Sequence, residues 1–449
     1  MQRNWFLGDL LGQLFARPGQ MRGSADARPI EELCDALLSA EGEVSGFQLA
    51  STVLDRYRAL DDTEKRAFFQ FLNDDLEIDA ARVSRLAAIY SETPNVEVFQ
   101  NLSAAAEPRR QELLRRLNQP VGATQELVAM RVDLLRFIKD APELKRTDID
   151  FVHLLRSWFN RGFLVLKQIS WDTPARILDK IIAYEAVHQI NDLDELRRRL
   201  YPADRRCFAF FHPAMPDEPL IFVEVALTGE VPSSIETVLA ADRAPEPAEA
   251  ARVAVFYSIS NCQKGLAGIS FGNLLIKQVV AELALELPGL SQFVTLSPIP
   301  GLTAWMADQK EDSELGGAAD ALLQSDRSNG DLKALAARYL LQAKRPDGLP
   351  RDPVARFHLG NGAEVHAVHL DADLSQNGLA QSKGAMVNYL YDLKSTERHH
   401  EAFALNGTVA ASKPVQALST MTLSTPSPKA GLKTSPANGA TQDPKDPLT

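Results

Sequence analysis

Cysteine is scarce. The 449 residues include three, Cys34, Cys207 and Cys262, far apart and in no CxxC spacing, which excludes a disulfide framework and a cysteine-built zinc site and points to a reducing compartment. Basic charge is also short: 48 Lys and Arg stand against 59 Asp and Glu, a formal net charge of −11. The basic field or stripe of a nucleic-acid binder is therefore missing. Long apolar runs are absent as well. The most apolar stretch near the start, Trp5 to Phe15, is broken by Asp9 and two glycines and is too short and polar for a spanning helix or a secretory core segment. Arg3, Arg17, Arg22 and Arg28 have few acids among them, a faint transit-peptide flavour, but an ordinary amphipathic first helix is the preferred reading. A soluble cytoplasmic protein with neither nucleic acid nor membrane as partner is expected, and no internal repeat at solenoid periods is seen.

What is present is an ordinary globular composition, 45% hydrophobic and 24% charged. At roughly 150 residues per domain the length suggests two or three domains. From about residue 30 to 160 apolar residues recur at helical spacing. Leu127, Met130, Leu134 and Phe137 form one stripe, and Phe68, Phe69 and Leu72 another, in a segment opened by the N-cap candidates Asp62 and Thr63. Charges such as Arg109-Arg110 and Arg115-Arg116 read as solvated faces. After Phe163 the pattern changes. Cys207–Phe211, Leu220–Leu227, Val253–Ser260, Phe293–Leu296 and Val365–Leu370 read as strands, with helices over Ala175–Ile190 and Asn273–Leu287. From Asn406 onward there is no aromatic residue and there are six prolines, the composition of a disordered tail. The expected organisation is a helical domain over 1–160, a mixed α/β domain over 161–405 and a disordered tail over 406–449.

The most informative window spans residues 253–301. The strand VAVFYSIS runs into NCQKGLAGISFGN, which opens the helix LLIKQVVAELALEL, and a second strand, QFVTL, ends in SPIPG. Gly265, Gly268 and Gly272 allow close approach of a ligand, and amides at a helix start attract phosphate oxygens. A tight structural connection is about as good a reading of such a turn. The GK[ST] ending of a P-loop and the G-x-G-x-x-G spacing of a dinucleotide fold are both missing. Gly268-Ile269-Ser270-Phe271-Gly272 matches the G-x-S-x-G nucleophile elbow, yet about nine residues of loop separate Ser270 from the strand end, where an elbow has none. Ser270 fits better as a phosphate-cradle or helix-capping residue.

At these residues a family resemblance emerges. The segments HPAMPDEPLIFVEVALT (212–228), VFYSISNCQKGLAGISFGNLLIKQVV (255–280), LSPIPGLTAW (296–305), PVARFHLGNGAEV (353–365) and GAMVNYLY (384–391) resemble the malonyl-CoA decarboxylases. They fall in the family's order, and the resemblance covers about residues 30–400. It implies an α+β protein: a helical N-terminal domain that mediates homo-oligomer contacts, dimer or tetramer, and a catalytic domain of the acetyltransferase (GNAT) fold with a mixed sheet. It also implies cofactor-free conversion of malonyl-CoA to acetyl-CoA and carbon dioxide, and through it control of malonyl-CoA levels in fatty-acid metabolism. The family's CoA-contacting loop falls on Ala267, Gly268, Ile269, Ser270, Phe271, Gly272 and Asn273, its serine on Ser297 and its histidine on His358. Acetyltransferases of this fold usually carry Q/R-x-x-G-x-G/A, whereas Gln263-Lys264-Gly265-Leu266-Ala267-Gly268 spaces its glycines differently. Animal members end in a peroxisomal tripeptide, while this chain ends Asp446-Pro447-Leu448-Thr449, and a bacterial cytoplasmic origin is expected.

The chemistry fits these residue types. Loss of carbon dioxide from a malonyl thioester leaves an enolate on the thioester oxygen, so the substrate is its own electron sink and no metal, biotin or pyridoxal phosphate is needed. The protein must supply donors to the oxyanion and an acid for the α-carbon. Histidine suits the second task, which assigns His358 as proton donor. Ser297 would bond the departing carboxylate or His358, and the resemblance implies a proton-accepting role for it. From the residues alone, Ser297 reads as a turn residue before Pro298 and His358 as a core histidine beside Phe357 and Leu359. His366 and His369 at odd offset make a poor metal pair, His399 and His400 read as solvent-exposed, and His212 as structural or pocket-lining. Asn388, Tyr389, Tyr391 and the strand residue Glu224 are further candidates, and Lys264 and Lys277 are the cations nearest the loop. Three rival functions stay open: a CoA-dependent N-acyltransferase, a serine hydrolase using Ser270, and a silent CoA-binding regulator.

Overall fold

A computed structural model of the chain describes residues 26–40, 42–269, 275–309, 314–325 and 330–423. Between residues 30 and 158 the described residues are helical: α1 (Ile30–Ser39), α2 (Glu43–Ala59), α3 (Asp62–Asp74), α4 (Ala80–Glu92), α5 (Val96–Ala105), α6 (Arg109–Leu117), α7 (Ala123–Phe137) and α8 (Lys145–Trp158). The expected apolar stripes form the core. Phe68, Phe69, Leu72, Leu127, Met130 and Leu134 are buried, each contributing about 2 kcal/mol by leaving water, and Phe137 meets Phe69 at a ring separation of 6.1 Å.

Two local expectations need correction. The N-cap of α3 is Asp61, not Asp62 or Thr63. Its carboxylate accepts from Glu64 N at 2.9 Å while Glu64 accepts from Asp61 N at 2.9 Å, a reciprocal capping box. Arg110 is not on a solvated face: it is 3% exposed and bonded to Glu77 (3.1 Å) and Asp150, since a buried guanidinium must find carboxylates.

Beyond residue 160 the strands are β1 (Val165–Ile169), β2 (Arg205–Phe211), β3 (Ile221–Thr228), β4 (Val253–Asn261), β5 (Gln292–Thr295), β6 (Ser297–Pro298), β7 (Glu364–His369) and β8 (Met386–Leu390). They bond in the order β1-β2-β3-β4-β5-β8-β6, with β7 also on β8. The sheet is mixed: β1 and β2 are antiparallel, β4 and β5 parallel, and β8 antiparallel to β5, β6 and β7. The accompanying helices are α9 (Ala175–Tyr184), α10 (Leu193–Leu200), α11 (Ile235–Leu239), α12 (Leu275–Glu286), α13 (Leu302–Ala307), α14 (Glu314–Leu323), α15 (Gly330–Gln342), α16 (Pro353–Gly360), α17 (Gln376–Ser382), α18 (Thr396–Asn406) and α19 (Lys413–Ser419). The parallel pair needs a crossover, and α12 supplies it. Helix α9 stops at Tyr184 rather than Ile190 because the Glu185 carboxylate takes the amides of Val187 and His188, both at 2.8 Å, and turns the chain.

The chain divides into two compact units: residues 1–201, 207–223 and 259–279 in the first, and 202–206, 224–258 and 280–449 in the second. The first holds an apolar cluster that includes Ile169, Ile177, Ile181, Phe211 and Phe222, and the second one that includes Val255, Tyr257, Leu296 and Met386. No helix of the described residues is long and apolar enough to cross a membrane.

The tail expected from residue 406 is folded through Leu423. Val365 N donates to Ala410 O and Ser412 N to Val365 O, both at 2.9 Å, so this segment pairs with β7. Helix α19 follows, capped by Ser412, with Val415 and Leu423 buried and Ser419 O bonded to Arg338 Nε (3.2 Å) and Gln342 Nε2 (3.1 Å). Composition misses this because the anchoring is by backbone pairing and two apolar contacts. Residues 424–449 lie outside the described residues. A chain ending at Asn406 is expected to be less stable to urea than one ending at Leu423 by about 3 kcal/mol, the burial of the two apolar side chains.

Candidate active site

In the second unit β5 and β6 run as one line along β8: Val294 faces Leu390, Ser297 faces Val387 and Pro298 faces Met386. With the period of two, Thr295 and Ser297 share a face, and Ser297 Oγ donates to Thr295 Oγ1 at 2.9 Å. His358 reaches this face from the last turn of α16. Its Nε2 is 3.3 Å from Ser297 Oγ, and its Nδ1 is 2.8 Å from the Tyr391 hydroxyl. The ring stacks on Tyr389 at 4.5 Å and 23°. With the proton on Nε2 every bond runs one way: Tyr391 to His358, His358 to Ser297, Ser297 to Thr295. Thr295 is held in turn by the Tyr389 amide (3.1 Å), and its carbonyl by Asn388 Nδ2 (2.7 Å).

Burial sets the charge state. His358 is 3% exposed, and the loss of water drives its pKa down to about 3; the imidazole is neutral at neutral pH. The same desolvation pushes the Tyr389 and Tyr391 phenols well above their ordinary range, so both stay protonated. Tyr389's hydroxyl is buried with no hydrogen-bond partner among the described residues. Helix α16 is fixed at both ends. Asp352 caps it through Ala355 N at 2.8 Å, before Pro353 at the first position, and His400 Nδ1 donates to Gly360 O at 2.8 Å. His400 is thus tied down rather than solvated. Burial pushes the Asp352 carboxyl up to about 6 against the pull of surrounding amides.

The glycine-rich loop belongs to the first unit. A single 3-10 turn, Lys264–Leu266, is closed by Ala267 N to Lys264 O (3.1 Å) and followed by Ile269 N to Leu266 O (3.0 Å). Gly268 has φ +75, which suits glycine, with open space where a Cβ would stand. Ala267 and Gly268 are exposed, Ile269 is buried, Lys264 is exposed and Lys277 half-buried. Ser270, Phe271, Gly272 and Asn273 lie outside the described residues.

The structure therefore brings Ser297 and His358 together with Tyr389, Tyr391 and, through Thr295, Asn388. Glu224 is fully buried in β3. His212 is structural: it meets the Phe159 ring at 4.9 Å and accepts from Ala214 N at 3.1 Å. His369 bonds Asn388 Oδ1. Thr295 and Asp352 were not among the expected site residues. The first stands two residues before Ser297 on a strand, and the second is the Asp of an Asp-Pro helix start; both signals were present.

Comparison with known proteins extends over these same elements. The N-terminal domain of malonyl-CoA decarboxylase matches residues 76–159 and the C-terminal domain residues 162–430. Malonyl-CoA decarboxylase, mitochondrial, of Anser anser anser is 34% identical over 409 residues, 80% of this chain and 81% of that protein. The crystal structure of malonyl-CoA decarboxylase from Rhodopseudomonas palustris is similar at a TM-score of 0.82 and 49% identity, over 86% of this chain and 98% of that one. For the enzyme from Agrobacterium vitis the values are 0.80, 49%, 87% and 99%. A carboxy-lyase is the class so defined. The chain belongs to the malonyl-CoA decarboxylase family.

The buried imidazole has a thermodynamic signature. Between pH 6.5 and about 3 the unfolded chain binds a proton at His358 that the folded chain does not, so stability falls as the pH is lowered through this window, by about 1.4 kcal/mol per pH unit. Asp352 acts with the opposite sign between pH 3.8 and about 6 and is common to both proteins in a comparison. His358→Gln is expected to flatten the urea-stability profile by about that slope; parallel profiles for variant and parent would show that the histidine is not held neutral.

Proposed function

We propose that the enzyme converts malonyl-CoA to acetyl-CoA and carbon dioxide, consuming one proton per turnover, with His358 as proton donor and Ser297 as the group that positions the substrate carboxylate. The observation that supports this most is the approach of Ser297 Oγ to His358 Nε2, 3.3 Å across 61 residues of sequence, among the buried hydroxyls of Thr295, Tyr389 and Tyr391. The neutral imidazole is ready for an anion. When the malonyl carboxylate enters, its charge favours the imidazolium, and a proton is taken up from solution. The carbon–carboxylate bond then breaks and its electron pair moves into the thioester enolate. The imidazolium Nε2–H passes its proton to the α-carbon, which leaves acetyl-CoA and a neutral His358. The unpaired Tyr389 hydroxyl is a further donor for a substrate oxygen, and that bond would relieve its desolvation, about 1–3 kcal/mol. Phenol rather than carboxylate on Nδ1 argues against a hydrolase triad.

The loop from Ala267 through Ser270, Phe271 and Gly272 to Asn273 is proposed to meet the CoA moiety, and the parallel β4–β5 pair joined by this turn and α12 supports the acetyltransferase-like reading. A cytoplasmic setting suits the three buried cysteines, and control of malonyl-CoA levels follows from the reaction. The decisive experiment follows carbon dioxide and acetyl-CoA from purified protein and malonyl-CoA. His358→Asn is expected to lower kcat by about 10²–10⁴-fold and Ser297→Ala by about 10²–10³-fold; undiminished turnover in both overturns the assignment.

Self-association through residues 1–160 is proposed on the hairpin of α4 and α5. It contains no buried residue and leaves Ile89, Val96 and Phe99 exposed at 47%, 73% and 54%, an apolar face suited to a second copy. Phe99→Asp is expected to lower the mass measured by sedimentation, and an unchanged mass would place the contact elsewhere.

A further inference from the structure

The helical part of the first unit holds the loop as well as its own core. Arg131, on α7, is buried to 2% exposure. Its Nη1 donates to the carbonyls of Gly265 (2.7 Å) and Ala267 (2.8 Å), while its Nε and Nη2 face the Asp148 carboxylate of α8 at 2.7 and 3.3 Å. Beside it the turn touches the helix directly: a Cβ at Gly265 would lie 2.0 Å from Val128 O. Two carbonyls on one guanidinium fix the plane of the turn, because the planar fork has little freedom to follow a displaced acceptor. With Leu266, Ala267 and Ile269 amides closed within the turn, the surface held open is that of Gly268, which faces empty space.

We propose that Arg131, oriented by Asp148, is a positioning residue for CoA-thioester binding: it holds the carbonyls of the Gly265–Ala267 turn against α7 so that the Gly268 face is presented to the ligand in a fixed orientation. This rests on the reading of the loop as the CoA-contacting segment. A clamp on a binding loop acts on affinity, whereas the bond-breaking groups are Ser297 and His358. It therefore separates KM from kcat, which a loss of general structural integrity does not.

The test uses the full-length enzyme. Since one partner of a buried pair left alone can unfold a protein, Arg131→Met is made together with Asp148→Asn, and Arg131→Lys, which can keep one carbonyl contact, is made separately. KM for malonyl-CoA and the dissociation constant of acetyl-CoA, measured by calorimetry, are expected to rise about tenfold or more in the double variant and less in Arg131→Lys, with kcat within about threefold of the parent. If the double variant does not fold, Arg131→Lys decides by the same constants. Unchanged KM and acetyl-CoA affinity, or a fall in kcat alone, overturn the proposal. Gly268→Val separates it from the reading beneath it. If this variant weakens acetyl-CoA binding while the Arg131 variants do not, the clamp fails and the loop reading stands. If none of them does, the loop reading itself fails.

Discussion

An imidazole taken out of water with no carboxylate beside it among the described residues is the constraint around which its surroundings in the second unit are arranged. Desolvation keeps His358 neutral, with its pKa near 3, and a neutral ring needs one donor and one acceptor rather than a counter-charge. Both are hydroxyls, Tyr391 and Ser297. A carboxylate on Nδ1 would raise the pKa of the ring and weaken the dependence of its charge on the ligand. As built, in the mechanism proposed above, the positive charge appears only in company with the substrate's negative one. The surrounding geometry serves this: Tyr389 covers a ring face, and α16 is held at its start by Asp352 and at its end by His400.

Three other buried ionic groups follow the opposite rule. Arg110 lies against Glu77 and Asp150, Arg131 against Asp148, and Asp204 against Arg205 and Arg243. Removal of the central group of each set, Arg110, Arg131 or Asp204, would strand its partners at a cost of about 3–5 kcal/mol, so these sets fix structure. His358 can be buried alone because it can discard its charge.

Much of this was legible in the residues. The helical stripes at Leu127–Phe137 and Phe68–Leu72 define the first core because a period of 3.6 is visible in any linear reading, and the strands β2–β5 and β7 stand out by their β-branched and aromatic runs. Ser297 and His358 were singled out by resemblance, not by pattern: a serine before proline and a histidine between Phe and Leu look like turn and core, and only the fold brings them within 3.3 Å of each other. Asn388, Tyr389 and Tyr391 were only further candidates, yet Tyr389 in β8 and Tyr391 just beyond it, two apart, both meet His358. Lone charges in apolar stripes, Arg110 and Arg131, were misread or passed over, since partners 40 and 134 positions away leave no local signal. The folding of residues 406–423 was hidden because backbone pairing with β7 has no compositional mark.

The close contact of Gly265 with Val128 O bears on how such a protein can be inherited. A loop that takes its shape from a helix more than 100 residues earlier cannot be moved to another chain without that helix, and under the positioning role proposed above the helix is selected for a site to which it contributes no reactive atom. Recombination between the regions matching residues 76–159 and 162–430 would keep every reacting group and still part the loop from its support, so the two regions are expected to travel through evolution as one gene segment.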